Sequence, residues 1–272
     1  MTLTKKIDFA IIIRVNHANP NGDPLNGNRP RTNYDGYGEI SDVCLKRKIR
    51  NRLLDKGEAI LVQSDDYRKD DFRSIKERYD NAIKTQPKTK DGEVRASFAC
   101  ETWFDVRAFG QVLAGVDDTN ASIAIRGPVS IQSAFSVEPV DISSLQITKS
   151  VNLKTDAKDP SKKASDTMGM KHRVEHGVYT TFGSINRQLS EKTGFSDEDA
   201  QILKKAIQCL FENDESSARP AGSMEVVKVI WWTHSDAVLS SAKVHGSLQV
   251  NADGTYKLAQ LHGIHAEELD AE

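Results

Sequence analysis

The chain has 272 residues, 38% of them hydrophobic and 28% charged, with a formal net charge of −2, a composition that excludes disordered, collagenous and membrane-embedded classes. No stretch approaches the ~18 apolar residues needed to span a bilayer, and residues 1–6 lead into a strand-like segment without a secretory core; a cytoplasmic protein with no membrane partner is expected. Cys44, Cys100 and Cys209 lie far apart and never as C-x-x-C, which points to buried thiols rather than a disulfide framework or a zinc site. The near-neutral sum hides two basic segments: residues 41–56 carry six bases against two acids, and 148–173 seven against three. Such a distribution suits a protein that holds a polyanion in a defined groove.

In chain order, Ile7, Phe9, Ile11, Ile13 and Val15 recur at period two and predict a half-buried strand. Residues 17–38 are dense in Asn, Pro and Gly, and their length exceeds an ordinary connection, as functional loops do. Ser41 caps a predicted helix to about residue 56, with Leu45, Ile49 and Leu53 as its buried stripe, Lys46, Arg47 and Arg50 on the opposite side, and Gly57 as its stop. Residues 64–95 are charged and weakly periodic and read as an insertion with a short helix.

A broadly helical apolar pattern covers 96–114. Val129, Ile131, Phe135 and Val137 then alternate with Ser130, Gln132, Ala134 and Ser136 as a strand with one wet face. Residues 148–173 have no period and predict an extended, mobile basic arm; strand-like alternation resumes at 174–182. Ser196 with the acids 197–199 opens a helix that buries Ile202, Leu203, Ala206, Ile207, Leu210 and Phe211 and closes near Asn213. A strand at 225–233 carries Trp231 and Trp232 to opposite faces, and Asp253-Gly254 predicts a hairpin turn between 244–250 and 255–258. The order of strands and helices predicts an α+β, ferredoxin-like or RNA-recognition-motif-like sandwich: one antiparallel sheet with helices on one face.

The helix at 41–56 is the best local candidate for phosphate binding, since its N-terminal amides and its cations could meet one backbone; a solvated face explains the same charges. In the arm, Met168 and Met170 beside Lys171, His172 and Arg173 suit a wedge between bases held by cations at phosphates, and a plain linker is equally economical. His172 with His176, and His262 with His265, have ligand spacing but no companion Glu motif, so no metal is expected. Asp23 could orient a 2′-hydroxyl or a divalent ion for RNA cleavage, yet Asp before Pro in a turn is ordinarily an Asx-turn residue. No phosphate-binding G-x-x-x-x-G-K-[ST] or G-x-G-x-x-G occurs and no cofactor is expected; the aromatic RNP1 signature is missing too, which leaves binding to loops and protrusions.

Six blocks in order carry a family resemblance: residues 16–24 (NHANPNGDP), 28–31 (NRPR), 41–50 (SDVCLKRKIR), 105–110 (DVRAFG) with 126–129 (RGPV), 168–172 (MGMKH) and 219–225 (RPAGSME). Together they resemble the backbone subunits of type I CRISPR Cascade surveillance complexes, in the RAMP superfamily, and among them subtype I-C. The resemblance implies a single domain over 1–272, an RNA-recognition-motif-like palm with insertions at about 17–40 (loop), 64–95 (finger) and 148–173 (thumb). It implies a non-catalytic subunit that stacks in a helical filament along CRISPR RNA and presents the guide to target DNA in antiviral defence. Its partners would be copies of itself, the crRNA-processing subunit and the large subunit. The RNA-contacting residues expected are Arg29, Arg31, Ser41, Lys46, Arg47 and Arg50 in the palm, Lys149, Met168, Lys171, His172 and Arg173 in the thumb, and Arg219. The alternative is a metal-dependent endoribonuclease of the related type III backbone kind, centred on Asp23; a third reading is an adaptor whose basic segments meet acidic proteins.

Overall fold

The computed structural model describes residues 2–85, 91–116, 122–148, 168–235 and 239–271. The chain opens with β1 (Ile7–Ala18), a small hairpin of β2 (Gly22–Asp23) and β3 (Arg29–Pro30) around a 3-10 turn at Pro24–Asn26, and β4 (Tyr37–Ile40). Helices α1 (Asp42–Asp55), α2 (Ile75–Ile83), α3 (Gly92–Thr102) and α4 (Phe104–Phe109) follow, then the hairpin β5 (Gly110–Leu113) and β6 (Ile123–Arg126). Next come β7 (Val129–Ile131), β8 (Ala134–Pro139), β9 (Ile142–Thr148) and the long β10 (Met168–Ile185). The last part holds α5 (Arg187–Thr193), α6 (Asp197–Gln208), β11 (Met224–His234), α7 (Ser241–His245), β12 (Leu248–Val250), β13 (Tyr256–Leu258) and β14 (Ile264–Leu269).

The main sheet runs β14-β11-β1-β10-β8-β4, with β7 and β9 also paired to β10, and its ladders are antiparallel. Within it, β1, α1, β8, β10, α6 and β11 repeat the strand-helix-strand-strand-helix-strand order, and the spatial order β11-β1-β10-β8 is that of a ferredoxin-like palm. The fold is α+β, with α1 and α6 on one face. Leu45, Ile49 and Leu53 of α1 and Leu203, Ala206 and Ile207 of α6 pack there on Phe9, Ile11, Ile13 and Trp231. Phe9 and Trp231 stack with ring centroids 5.6 Å apart. The helix ends follow their local chemistry. Ser41 Oγ accepts from the Cys44 amide, Gly57 at φ +89° follows the last turn of α1, and Ser196 with Asp199 closes a capping box on α6.

The structure corrects several expectations. β1 is buried on both faces, because α7 and the β12–β13 hairpin roof the second one, where Ala10, Ile230, Trp232, Val244 and Leu248 form their own cluster. Trp231 and Trp232 do face opposite ways, and both are covered. The helical pattern at 96–114 ends at Phe109; Gly110–Leu113 is a strand, since Gly110 at φ +77° breaks the helix. The strand expected over 129–137 is broken at Gln132-Ser133, which reverses its faces: Ala134 and Ser136 are buried and Phe135 is 44% exposed. Val244 lies in a helix rather than in the first limb of the β12–β13 hairpin. Met168–Arg173 belong to regular strand β10, paired with β9, and not to an irregular arm; residues 149–167 of that arm lie outside the described residues. Cys100 and Cys209 are buried as expected, and Cys44 only partly.

The insertion after α1 has its own core, in which Leu61, Tyr79, Trp103, Val106 and Leu113 pack together. It is tied to the palm by charge. Asp105, 1% exposed, accepts from the amides of Leu61 (2.8 Å) and Val62 (3.1 Å) and from Arg50 Nε (2.9 Å), and Arg107 forms two bonds with Asp199 at 2.8 and 3.1 Å. The blocks 105–110 and 126–129 meet backbone to backbone: a Cβ on Gly110 would lie 2.3 Å from the Ile125 carbonyl oxygen, and one on Gly127 2.3 Å from that of Ala108.

Candidate nucleic-acid interface

Four segments line one cleft of about 350 Å³: the loop after β1 with Pro20, Asn21 and Gly22, the first half of α1 with Cys44, Arg47 and Lys48, Asp66 and Tyr67 of the insertion, and the turn that carries Asp214 and Arg219. The first, second and last are bonded to one another. Asn21 joins the first two. Its side-chain oxygen accepts from the Ser41 amide at 2.9 Å and the Ser41 hydroxyl at 2.8 Å, and its carbonyl accepts from the Arg31 amide at 2.9 Å. Asn19 joins the first and last, since its amide donates to the Ala218 carbonyl at 2.9 Å while its side chain donates to the Asn28 carbonyl at 2.7 Å. Asp214 joins the second and last by pairing with both Lys48 and Arg219. The cleft is therefore a built feature of the N-P-N-G, S-D-V-C-L-K-R-K and R-P-A-G blocks.

The cations on the cleft and beside it on α1 differ in availability. Lys46 pairs with Asp42 at 3.1 Å on the helix surface and Arg47 with Asp66 at 2.9 Å, with Arg47 56% exposed. Exposed pairs of this kind are worth about 0–1 kcal/mol, so a phosphate can take either cation at little cost. Arg50 is different. Its side chain is 14% exposed, bonded to buried Asp105 and laid over the Phe109 ring at 5.2 Å, so it anchors the insertion and does not stand on a free basic face. Lys48, which the sequence reading passed over, is nearly buried, and burial lowers the pKa of its ammonium despite Asp214. Burial pushes the Cys44 thiol up, so no thiolate is offered. Ser41 spends its hydroxyl on the helix cap and on Asn21.

A second group lies where the β9–β10 hairpin leaves the palm. Arg29 Nη1 donates to Ser144 Oγ at 2.8 Å, and His172 Nδ1 lies 2.9 Å from the same hydroxyl. Arg173 pairs with Glu175 at 3.1 Å, and Arg31 with Asp23 at 3.5 Å. Strand pairing sets Met168, Met170 and His172 on one face, opposite Thr148, Gln146 and Ser144. The two methionines are 64% and 55% exposed, and the Lys171 side chain has no ion pair or hydrogen-bond partner among the described residues. Lys149 lies outside the described residues. The Asp23 carboxylate accepts from the Leu25 amide at 3.2 Å, the Asx-turn role, and among the described residues no group of three or more His, Cys, Asp or Glu is arranged to hold a metal ion.

The structure thus joins Arg29 to His172 through Ser144, and Arg47 and Arg219 around one cleft, with Ser41 behind it on Asn21. It also adds Asn21, Lys48, Asp214 and Ser144, none of which sequence reasoning singled out. Asn21 lay within a resembling block; Asp214 and Ser144 had no local signal at all. Among the described residues no helix is long and apolar enough to cross a membrane.

A family model described as CRISPR-associated protein Cas7 matches residues 5–267. A Haloferax volcanii protein named CRISPR-associated protein Cas7 is 25% identical over 237 residues, which span 82% of this chain and 68% of the relative. Among solved structures, a chain of a "CRISPR RNA-guided surveillance complex, pre-nicking" superposes with a TM-score of 0.53 at 16% identity, covering 88% of this chain and 81% of that one, a likeness of fold.

Proposed function

This chain belongs to the Cas7 family of CRISPR-associated proteins, and on that footing we propose that it is the CRISPR RNA-binding backbone subunit of a type I Cascade, of the I-C subtype. In this reading several copies stack along one guide RNA in a cytoplasmic ribonucleoprotein with the crRNA-processing and large subunits, and the guide is presented for pairing with target DNA. The observation that carries the reading is the convergence of residues 20–22, 44–48 and 214–219 on one cleft on which Arg47 is exposed and held only by a surface acid.

A subunit repeated along a guide of any sequence gains most from contacts to phosphate and sugar, which fix position and leave base edges free to pair. In this reading Arg47, Lys46, Arg29, Arg31 and Arg219 make such contacts. The β9–β10 hairpin is the thumb: exposed Met168 and Met170 beside Lys171 suit apolar insertion between bases with a cation at the adjoining phosphate. Residues 64–95 belong to the finger insertion. Repetition of one head-to-tail contact that does not close gives a filament. The subunit itself is read as a scaffold without nuclease activity, which the engagement of Asp23 in its own turn and with Arg31 supports.

The test is charge reversal at Lys46 and Arg47 together. The account expects weaker binding to every RNA sequence tried and a flatter dependence of log affinity on log salt. Unchanged affinity and slope in a folded Lys46→Glu, Arg47→Glu protein would refute the palm assignment.

A further inference from the structure

β10 leaves the body of the palm at Val174. From there inward it pairs with β1, and from there outward only with β9: Met168 to Val174 face Thr148 to Ile142, and among the described residues no third strand joins that part of the hairpin by ladder hydrogen bonds. Val174 is also the last fully covered residue on the way out, so apolar packing does not hold the ribbon beyond it. Two strands alone make a marginal unit. Something else must fix the direction in which the hairpin projects.

Two polar junctions stand at that place: the first ties the hairpin to the segment that follows β1, and the second ties β10 at the hairpin's base to the last residues of β1 itself. The first is Ser144, opposite His172 in the ladder, whose hydroxyl is shared by Arg29 Nη1 at 2.8 Å and His172 Nδ1 at 2.9 Å. One hydroxyl oxygen has two lone pairs and one proton, enough to serve both partners at once. The second is Glu175, which takes Arg173 Nε at 3.1 Å on one oxygen and lies 2.7 Å from His17 Nδ1 on the other. The Ser143 hydroxyl, Arg173 and His17 around it hold this carboxyl down at about 2, so it stays charged in all ordinary conditions.

His17 itself sits at φ +51°, a left-handed conformation uncommon for a residue with a side chain. It marks the point where β1 changes face, since Val15 and Ala18 both lie in the main core although they are an odd number of residues apart. The chain therefore holds an unfavourable backbone conformation at the residue that reaches across to Glu175. A third contact beside it, His176 Nδ1 to Asn16 Oδ1 at 2.7 Å, lies in the same short stretch of ladder.

We infer that Ser144 and Glu175 are positioning residues, which set the angle at which the β9–β10 hairpin leaves the palm and thereby where Met168, Met170 and Lys171 stand relative to the cleft. Neither residue needs to touch RNA for this role. Their effect on RNA rests on the function proposed above, whereas their effect on the hairpin does not.

Amide hydrogen exchange of the RNA-free, full-length protein and its affinity for a guide RNA at fixed salt separate these parts. In Ser144→Ala and in Glu175→Ala, exchange within Ile142–Thr148 and Met168–Arg173 rises about tenfold or more while β1 and β11 stay protected, the mark of local rather than global opening. Affinity for guide RNA falls several-fold in the same variants, on the order of the tenfold that one lost polar contact commands. Ser144→Thr keeps the hydroxyl in a strand-compatible side chain and restores both readouts. Unchanged exchange in both alanine variants overturns the assignment, and so does a rise spread evenly over the whole sheet. A wild-type chain that takes up no guide RNA overturns the proposed function instead, and the exchange data still decide the role of the two residues.

Discussion

Lys48 and Arg219, one on the first long helix and one on a turn near the end of the chain, meet on the same carboxylate oxygen of Asp214, with Arg219 Nε at 2.9 Å. The Lys48 ammonium is nearly buried and lies over the Phe211 ring at 5.4 Å, so it has little water to turn to. Removing one partner of a buried pair leaves an uncompensated charge, at a cost of about 3–5 kcal/mol. Asp214→Ala is expected to lower the thermal midpoint sharply, and Lys48→Met, which removes the charge and keeps the apolar stem, to lower it far less. Equal losses in the two variants would show that the pair, and not the stranded ammonium, sets the cost.

Arg50 and Arg47 stand one turn apart on the same helix and answer to different forces. Arg50→Ala deprives buried Asp105 of its cation, and a loss of about 3 kcal/mol in unfolding free energy is expected; Arg47→Ala changes stability by about 0.5 kcal/mol or less, as an exposed pair does. RNA affinity should move the other way, with the larger specific loss at Arg47 once both proteins are assayed folded. Denaturant titration and RNA binding on the two variants check this together.

Gly110 and Gly127 each leave a backbone carbonyl 2.3 Å from where a Cβ would sit, and Gly110 is also at φ +77°. Carbonyls cannot swing aside as a side-chain tip does. Gly110→Ala and Gly127→Ala should each destabilise the β5–β6 hairpin and its attachment to α4, whereas Gly57→Ala, at φ +89° with open space around it, pays only the conformational cost of about 1 kcal/mol. Chemical denaturation of the three variants ranks them.

Asp8, in β1, is buried beneath the layer that roofs the second sheet face, 2.6 Å from His234 Nε2 and 3.1 Å from Lys6 Nζ. Burial alone would raise its pKa; the nearby polar groups of His245 and Ser241, the hydrogen bond from His234 and the charge of Lys6 overcome this and hold the carboxyl well below the usual range. A depressed folded pKa contributes stability that is complete above the unfolded value of about 4 and is lost as pH falls below it. Asp8→Asn should therefore be less stable at pH 7 and show a flatter decline from about pH 4 downward than the parent. Parallel acid-denaturation curves would contradict the assignment.

Local chemistry made much of the palm legible before any coordinates. Ser41, Ser196 and the period-two run from Ile7 to Val15 state their elements through capping groups and side-chain spacing, and all three elements begin where read, although the helix after Ser196 ends at Gln208 rather than near Asn213. What stayed hidden depends on partners distant in sequence. Nothing near Ile7–Val15 says that α7 and β12–β13 cover the second face, and nothing near Arg50 says that its guanidinium belongs to Asp105. Phe135 is a local failure of another kind, because a two-residue break after Ile131 shifts the alternation and turns the ring outward. For the site, three of the resembling blocks meet at the cleft, whereas Asp214 and Ser144 act only by bridging stretches that the sequence sets far apart.

The central claim is that this chain holds guide RNA as one of several copies. The direct measurement is to purify it, with its partner subunits, from cells expressing a CRISPR array and to determine the size of the assembly and the length of the RNA within it. The account predicts a large particle with RNA of one discrete, guide-length size, protected from added nuclease. A nucleic-acid-free monomer that takes up no added guide even with those partners would contradict it.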